Sequence, residues 1–327
     1  MKRLSNFLWP LVALVAMGFS FWLLYKELRG LSAGDVLDSL AAISKTSWLL
    51  AALSSLVAYA ALAWYDRIAL LHLGRKFSWT LISLVSFTTY ALSHNIGFSM
   101  FSGAVVRYRV YSTKGLSMAE VAFLVGFCSF TFALGTVLLG GLVLVFEPQI
   151  VQRLVDAPVW LARTGGFAML GFVALYFAGS TLHLKPLQLG KFKLEYPSVN
   201  ITLRQMVAAP IELLGAAGII YFALPEAGNP GYFIVLGIFL ASFSAGLLSH
   251  APGGLGVIEF VFVKAMPPDA PQAQVVAALI VFRLLYLIIP LLFSLVVVFF
   301  FERGRLSEAI VAARATAAAA KSNSASP

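Results

Sequence analysis

The sequence predicts an all-α polytopic membrane protein: about six full transmembrane helices and two Gly/Pro-broken re-entrant segments, arranged as two inverted repeats. Three observations predict it. Of 327 residues, 60% are hydrophobic and only 11% charged, against roughly 25% charged in soluble domains. Apolar runs of membrane length recur along the chain, and the mean hydropathy is +0.91. Two of those runs are broken by one shared pattern, Ser-His-x-x-Gly, at Ser93-His94-Asn95-Ile96-Gly97 and Ser249-His250-Ala251-Pro252-Gly253, 156 positions apart.

Each element follows from its residues. A bilayer core needs about 20 apolar residues per helix. The first such run, 7–25, follows Lys2 and Arg3, and Lys26-Glu27-Leu28-Arg29 after it offers no small-residue cleavage site. It reads as an uncleaved signal anchor. Residues 30–46 set Leu31, Val36, Leu37, Leu40 and Ile43 against Asp35, Asp38 and Lys45, the pattern of a short amphipathic interfacial helix. Further hydrophobic segments lie near 48–65, 81–106, 119–146, 159–179, 205–224, 232–258 and 274–301. The stretch 180–204, with Lys185, Lys191 and Lys193, is the longest polar connection. From Arg303 the chain turns Ala/Ser-rich, and 306–327 reads as a cytoplasmic tail, a short helix followed by disorder.

Lys and Arg in short loops decide between topologies. If all eight segments cross from a cytoplasmic N-terminus, ten basic residues fall inside and eleven outside. If 81–106 and 232–258 instead enter and leave on one side, Arg107, Arg109, Lys114, Lys185, Lys191, Lys193 and Arg204 move inside and Arg153 moves out. The count becomes sixteen inside against five outside. This arrangement makes 1–150 and 151–305 inverted repeats, with re-entrant hairpins from opposite faces and both termini cytoplasmic. Gly-broken segments in corresponding positions of two halves are a pointer to a transporter binding site.

Backbone turns are assigned to Gly97, Gly103, Pro252, Gly253, Gly254 and Gly256, because broken backbone is tolerated at membrane depth only when buried in protein or lining a wet cavity. Ionisable groups in apolar segments are costly and therefore informative. Arg283, within the last span, lies too deep to reach either surface easily and needs Glu259, Glu212 or an anionic substrate as partner. Arg107 follows the first Gly-rich stretch; its planar fork suits a phosphate, and nearby half-helix N-termini would add N–H donors. Arg109 reads as ordinary flanking charge. His94 and His250 cap or bridge their breaks, with headgroup contact as the alternative, and Asn95 carries the same two readings. Asp66, Glu212 and Glu259 complete the set, as groups that balance charge or carry coupled protons.

Several classes are excluded. The net charge of +9 sits in short loops, which fits anionic lipid better than nucleic acid. Cys128 is the only cysteine, so there is no disulfide framework or thiolate metal cluster, and it reads as packing. Two histidines without a supporting cluster give no metal site. No nucleotide-binding loop, His-Glu-x-x-His or Gly-x-Ser-x-Gly occurs, and no cofactor is expected.

The run His94-Asn95-Ile96-Gly97-Phe98-Ser99, through Ser102-Gly103-Ala104 to Arg107-Tyr108-Arg109, is one of two that carry a resemblance. The other is Ser249-His250-Ala251-Pro252-Gly253-Gly254-Leu255-Gly256 with Glu259. Together they resemble the lysylphosphatidylglycerol synthase/flippase transmembrane family, over about residues 5–305, and most of all its YbhN-like stand-alone members. The resemblance implies the flippase portion. In the larger MprF proteins aminoacyl transfer belongs to a separate cytosolic domain, for which this chain has no room. It also implies that Asp66, Arg107 and Glu212 match substrate-path positions, while His94, Asn95 and His250 follow the YbhN-like pattern. The headgroup stays open: lysyl-phosphatidylglycerol, cardiolipin, phosphatidylglycerol or another lipid.

The sequence thus leads to a flippase, not an enzyme, of the bacterial inner membrane. It would pass a phospholipid headgroup through a polar cavity between the hairpins, with a second copy of the chain as a candidate partner. The alternative is a non-transporting membrane partner of a lipid-modifying enzyme. An intramembrane enzyme using His94 or His250 with Glu259 is a third reading, weakened by the lack of an activated nucleophile.

Overall fold

Serine caps set where the first helices begin. Ser32 Oγ accepts the Asp35 N–H at 3.1 Å and the Asp35 carboxylate accepts the Ser32 N–H at 3.1 Å, a reciprocal capping box. It starts α1 (Ala33–Ala41), within the expected amphipathic stretch, and α1 packs against the last helix. Ser44 caps α2 (Lys45–His72), which ends where Gly74 takes φ +70°. The same capping box, Ser117 with Glu120, starts α5 (Met118–Phe146). Glu120 also pairs with Arg75, just beyond the end of α2, at 2.7 Å.

The computed structural model describes residues 22, 32–96, 99–155, 157–182, 187–189, 192–194, 197–301 and 303. Almost all of the expected signal anchor 7–25, Gly97 and the tail 306–327 lie outside them. Segment 81–106 forms two helices, α3 (Trp79–Ile96) and α4 (Ser99–Tyr111), packed against each other. After α5 come the short α6 (Gln149–Val155), then α7 (Val159–Thr181) and α8 (Val199–Ala223). Segment 232–258 again gives two helices in mutual contact, α9 (Tyr232–Ser249) and α10 (Val257–Ala265), before α11 (Gln272–Phe301). The order helix, broken pair, helix therefore occurs twice: α2, α3/α4, α5 and α8, α9/α10, α11.

Among the described residues six helices are long and apolar enough to cross a membrane: α2, α5, α7, α8, α9 and α11. The chain is a multi-pass membrane protein. Two features add to the expected picture. The 18 residues of α9 rise about 27 Å, so the first leg of the second broken segment is by itself of spanning length. The 180–204 connection is not irregular throughout: Leu187–Leu189 (β1) pairs antiparallel with Phe192–Leu194 (β2), in the register Leu187↔Leu194, Gln188↔Lys193 and Leu189↔Phe192. Apart from this short pair, the regular structure of the described residues is helical, as the sequence predicts.

Small residues hold the bundle, as expected where lipid removes the hydrophobic drive between helices. A Cβ on Gly215 of α8 would stand 2.9 Å from Ala58 N and Ser54 O of α2, and one on Gly218 would stand 2.9 Å from Ser54 Oγ. A fully buried polar ladder ties α5, α7 and α8: Tyr176 OH donates to Gln205 Oε1 at 2.8 Å, and Gln205 Nε2 to Thr131 Oγ1 at 2.8 Å.

In α11, residues Arg283–Ile288 widen into a π-helical turn. Pro290 supplies the reason. It has no N–H to give to the carbonyls four and five residues earlier, Tyr286 and Leu285. Ser55 Oγ satisfies Leu285 O at 2.8 Å and Tyr59 OH satisfies Tyr286 O at 2.9 Å, both from α2, and Asn95 Nδ2 of α3 reaches Leu287 O at 3.0 Å. Such π turns are frequent at functional sites.

Candidate functional site

The break between α9 and α10 is built from left-handed residues. His250 (φ +56°), Gly253 (+59°), Gly254 (+62°) and Gly256 (+77°) all adopt them, a conformation open to glycine and unusual for histidine. His250 is the C-cap of α9, and its Nδ1 lies 2.8 Å from Leu248 O. Pro252 opens a short 3-10 turn, Pro252–Gly254. A Cβ on Gly254 would stand 2.6 Å from Ile258 Cδ1, so the turn also needs glycine for space.

Arg283 staples this break. Its Nε donates to Glu259 Oε1 and its Nη1 to Gly253 O at 3.1 Å. Glu259 Oε2 in turn accepts the Gly256 N–H at 2.8 Å, at the start of α10. Of the partners the sequence left open for Arg283, the structure selects Glu259. Arg283 Nη2 is buried with no hydrogen-bond partner among the described residues.

The C-terminal end of α3 meets the second break. The position a Cβ would take on Gly253 lies 3.7 Å from His94 O, and the 3-10 turn packs on α3. Asn95 Nδ2 bridges Ala91 O (2.7 Å) of its own helix and Leu287 O of α11. Gly103, expected at a turn, lies inside α4. A Cβ there would be 2.8 Å from Ser93 Oγ and 3.4 Å from Arg107 Nη1, so its role is close packing of α4 on α3. His94 stacks its ring on Tyr286 (5.2 Å, 21°), and its Nδ1 is buried without a partner among the described residues.

Two acids take different environments. Asp66 of α2 holds Arg107 of α4 through two bonds, Nη2–Oδ1 at 2.6 Å and Nε–Oδ2 at 3.2 Å, with side chains 0% and 4% exposed. The guanidinium also lies over the Tyr90 ring at 5.0 Å. Glu212 of α8, 1% exposed, pairs with no cation among the described residues. Tyr286 OH donates to its Oε1 at 2.6 Å, and Tyr65 OH lies 3.4 Å from Oε2.

These groups surround one cavity of about 390 Å³. Its wall includes His94, Arg107, Glu212, His250, Gly253 and Gly254. Asp66, Asn95, Glu259 and Arg283 stand outside that wall, holding the residues that form it. Tyr65, Tyr90, Ser93 and Cys128 also line it, and the sequence reading missed the first three and took Cys128 only as packing. Tyr90 OH, Ser93 Oγ and His94 Nδ1 are all buried there without a hydrogen-bond partner among the described residues. Buried polar atoms in proteins are almost always paired, and these three belong to residues that line the cavity.

Comparison with known proteins agrees with this architecture. The chain is 31% identical over 268 residues to the uncharacterized protein slr0712 of Synechocystis sp., covering 81% of this chain and 82% of that one. It is 32% identical over 246 residues to the inner membrane protein YbhN of Escherichia coli, covering 73% and 75%. It is 24% identical over 275 residues to the phosphatidylglycerol lysyltransferase of Staphylococcus aureus, covering 84% of this chain but 31% of that longer protein. Residues 10–294 match the family described as the lysylphosphatidylglycerol synthase TM region, and the chain belongs to that family.

Proposed function

We propose that this chain is a lipid transporter of the bacterial inner membrane, moving the headgroup of an anionic or aminoacylated phospholipid between leaflets. The observation that carries the reading is the cavity in which Arg107 stands beside the unpartnered Tyr90 OH, Ser93 Oγ and His94 Nδ1. A guanidinium recognises phosphate by charge and planar geometry, and hydroxyl and imidazole groups supply the remaining hydrogen bonds. Asp66 orients Arg107 and balances its charge while the cavity is empty. His250 borders the cavity from the second break. Arg283, Glu259 and Asn95 act at one remove by fixing the broken backbone, and the acyl chains stay in the bilayer. The two broken pairs serve as re-entrant hairpins of two inverted repeats, in the orientation favoured by the loop charges, with both termini cytoplasmic. The names of two relatives support the setting: one is an inner membrane protein, and the other acts on phosphatidylglycerol.

The test is a leaflet assay in liposomes with labelled anionic and zwitterionic phospholipids. Wild type should move lipid in a headgroup-dependent way. The charge-neutral double variant Asp66→Asn/Arg107→Gln, which leaves no charge uncompensated, should stop movement while staying folded. Unchanged movement in that variant would remove Arg107 from the path. No movement by folded wild-type protein with any lipid would favour a non-transporting partner of a lipid-modifying enzyme.

A further inference from the structure

Glu212 takes no part in the headgroup contacts proposed above, yet it borders the same cavity with a buried carboxyl and no paired cation among the described residues. An ionised carboxylate held this way is costly in a medium of low dielectric, and the group lowers that cost by taking up a proton. Among the described residues the groups around it supply hydroxyl hydrogen bonds but no free cation. From α2 come Tyr65 and, through its contact with Tyr286, Tyr59; α11 presents Tyr286 itself. From α5 comes Cys128, from α3 His94, and His250 caps α9. On α7, Tyr176 is turned to Gln205. The cationic side chain on the wall, Arg107, is already held by Asp66 through two bonds.

Resting on the transport reading, we infer that Glu212 is a proton-carrying site that couples movement of an anionic headgroup to a proton travelling in the same direction. The sign follows from charge. Arg107 and Asp66 sum to zero, so an arriving phosphate brings a negative charge into the cavity. An ionised Glu212 would add a second one there. Loading the headgroup therefore favours the protonated acid, and by reciprocity protonation favours loading. The proton comes from water on one side, rests on the Glu212 carboxyl and leaves to water on the other. No bond to the lipid forms or breaks. The two tyrosine hydroxyls stabilise the ionised form, which is what allows the proton to leave again.

The test uses the full chain in liposomes with labelled phosphatidylglycerol, with and without a gradient of one pH unit, alongside a trapped pH indicator. One proton per lipid allows the gradient to skew the leaflet ratio up to about tenfold, with lipid gathering on the alkaline side and the indicator reporting protons moving with it. In Glu212→Gln the ratio should be the same with and without the gradient, whatever the rate. Wild-type movement with a ratio indifferent to the gradient, or a Glu212→Gln ratio that follows it, would overturn the coupling and leave the transporter standing. The wild-type arm decides even if the variant folds poorly. No lipid movement at all would overturn both.

Discussion

Replacing Asp66 by Asn removes one charge from the pair that positions Arg107. Both side chains are out of contact with solvent, at 0% and 4% exposure, and two hydrogen bonds join them. The partner left behind is a guanidinium that cannot lose its proton, lying over the Tyr90 ring face. Breaking a buried pair from one side costs about 3–5 kcal/mol, most of it the penalty of an uncompensated charge. At about 1.4 kcal/mol per tenfold, the folded-to-unfolded ratio falls by roughly two to nearly four orders of magnitude. Equilibrium denaturation of the purified protein in mixed micelles reads this directly. Asp66→Asn/Arg107→Gln should recover most of the loss, because no charge is then stranded. A single variant within about 1 kcal/mol of wild type, or a double variant no more stable than the single, would refute the reasoning. Either result would mean that water reaches the pair.

Three further outcomes follow from the same geometry. Glu120→Gln breaks an ion pair at the surface rather than in the interior, and the same denaturation curves should not move measurably. Gly254→Ala should cost about 1–2 kcal/mol from the left-handed backbone alone, plus the contact with Ile258 Cδ1. Ile258→Ala should rescue only the second part, and full rescue would show that the backbone is not strained. Tyr59→Phe leaves the Tyr286 carbonyl without its donor, at about 1–3 kcal/mol; adding Pro290→Ala, which restores an N–H four residues on, should reduce that cost.

Much of this was legible in the sequence, and the losses have physical causes. The second break could be read because Pro252, Gly253, Gly254 and Gly256 have few other uses inside an apolar run, and their dihedrals show why glycine stands at three of them. The need for a partner to Arg283 was also legible, since depth in a span is a one-dimensional property. Which acid answers it was not, because Glu212 and Glu259 are equally apolar-flanked and only packing separates them. The pairing of Asp66 with Arg107, 41 residues apart, is tertiary in the same way. The tyrosines around Glu212 were overlooked because their rings read as membrane filler, though a hydroxyl must find a partner once buried. The β-pair had a visible signal: Leu187-Gln188-Leu189 and Phe192-Lys193-Leu194 alternate on either side of Gly190-Lys191, a hairpin pattern lost in a loop judged only by its charge. The π turn had one too, Pro290 in mid-span.

The most direct test of the central idea, that a lipid headgroup enters the cavity between the two breaks, is photocrosslinking. Phosphatidylglycerol carrying a photoreactive group on its headgroup would be irradiated with the reconstituted protein and the adducts mapped by mass spectrometry. The account predicts adducts on cavity-wall residues such as Val125, Phe132 and Phe243, reduced by excess unlabelled lipid. Adducts confined to outward-facing residues such as Trp160, Leu161 and Phe172, with the cavity wall unlabelled, would contradict it.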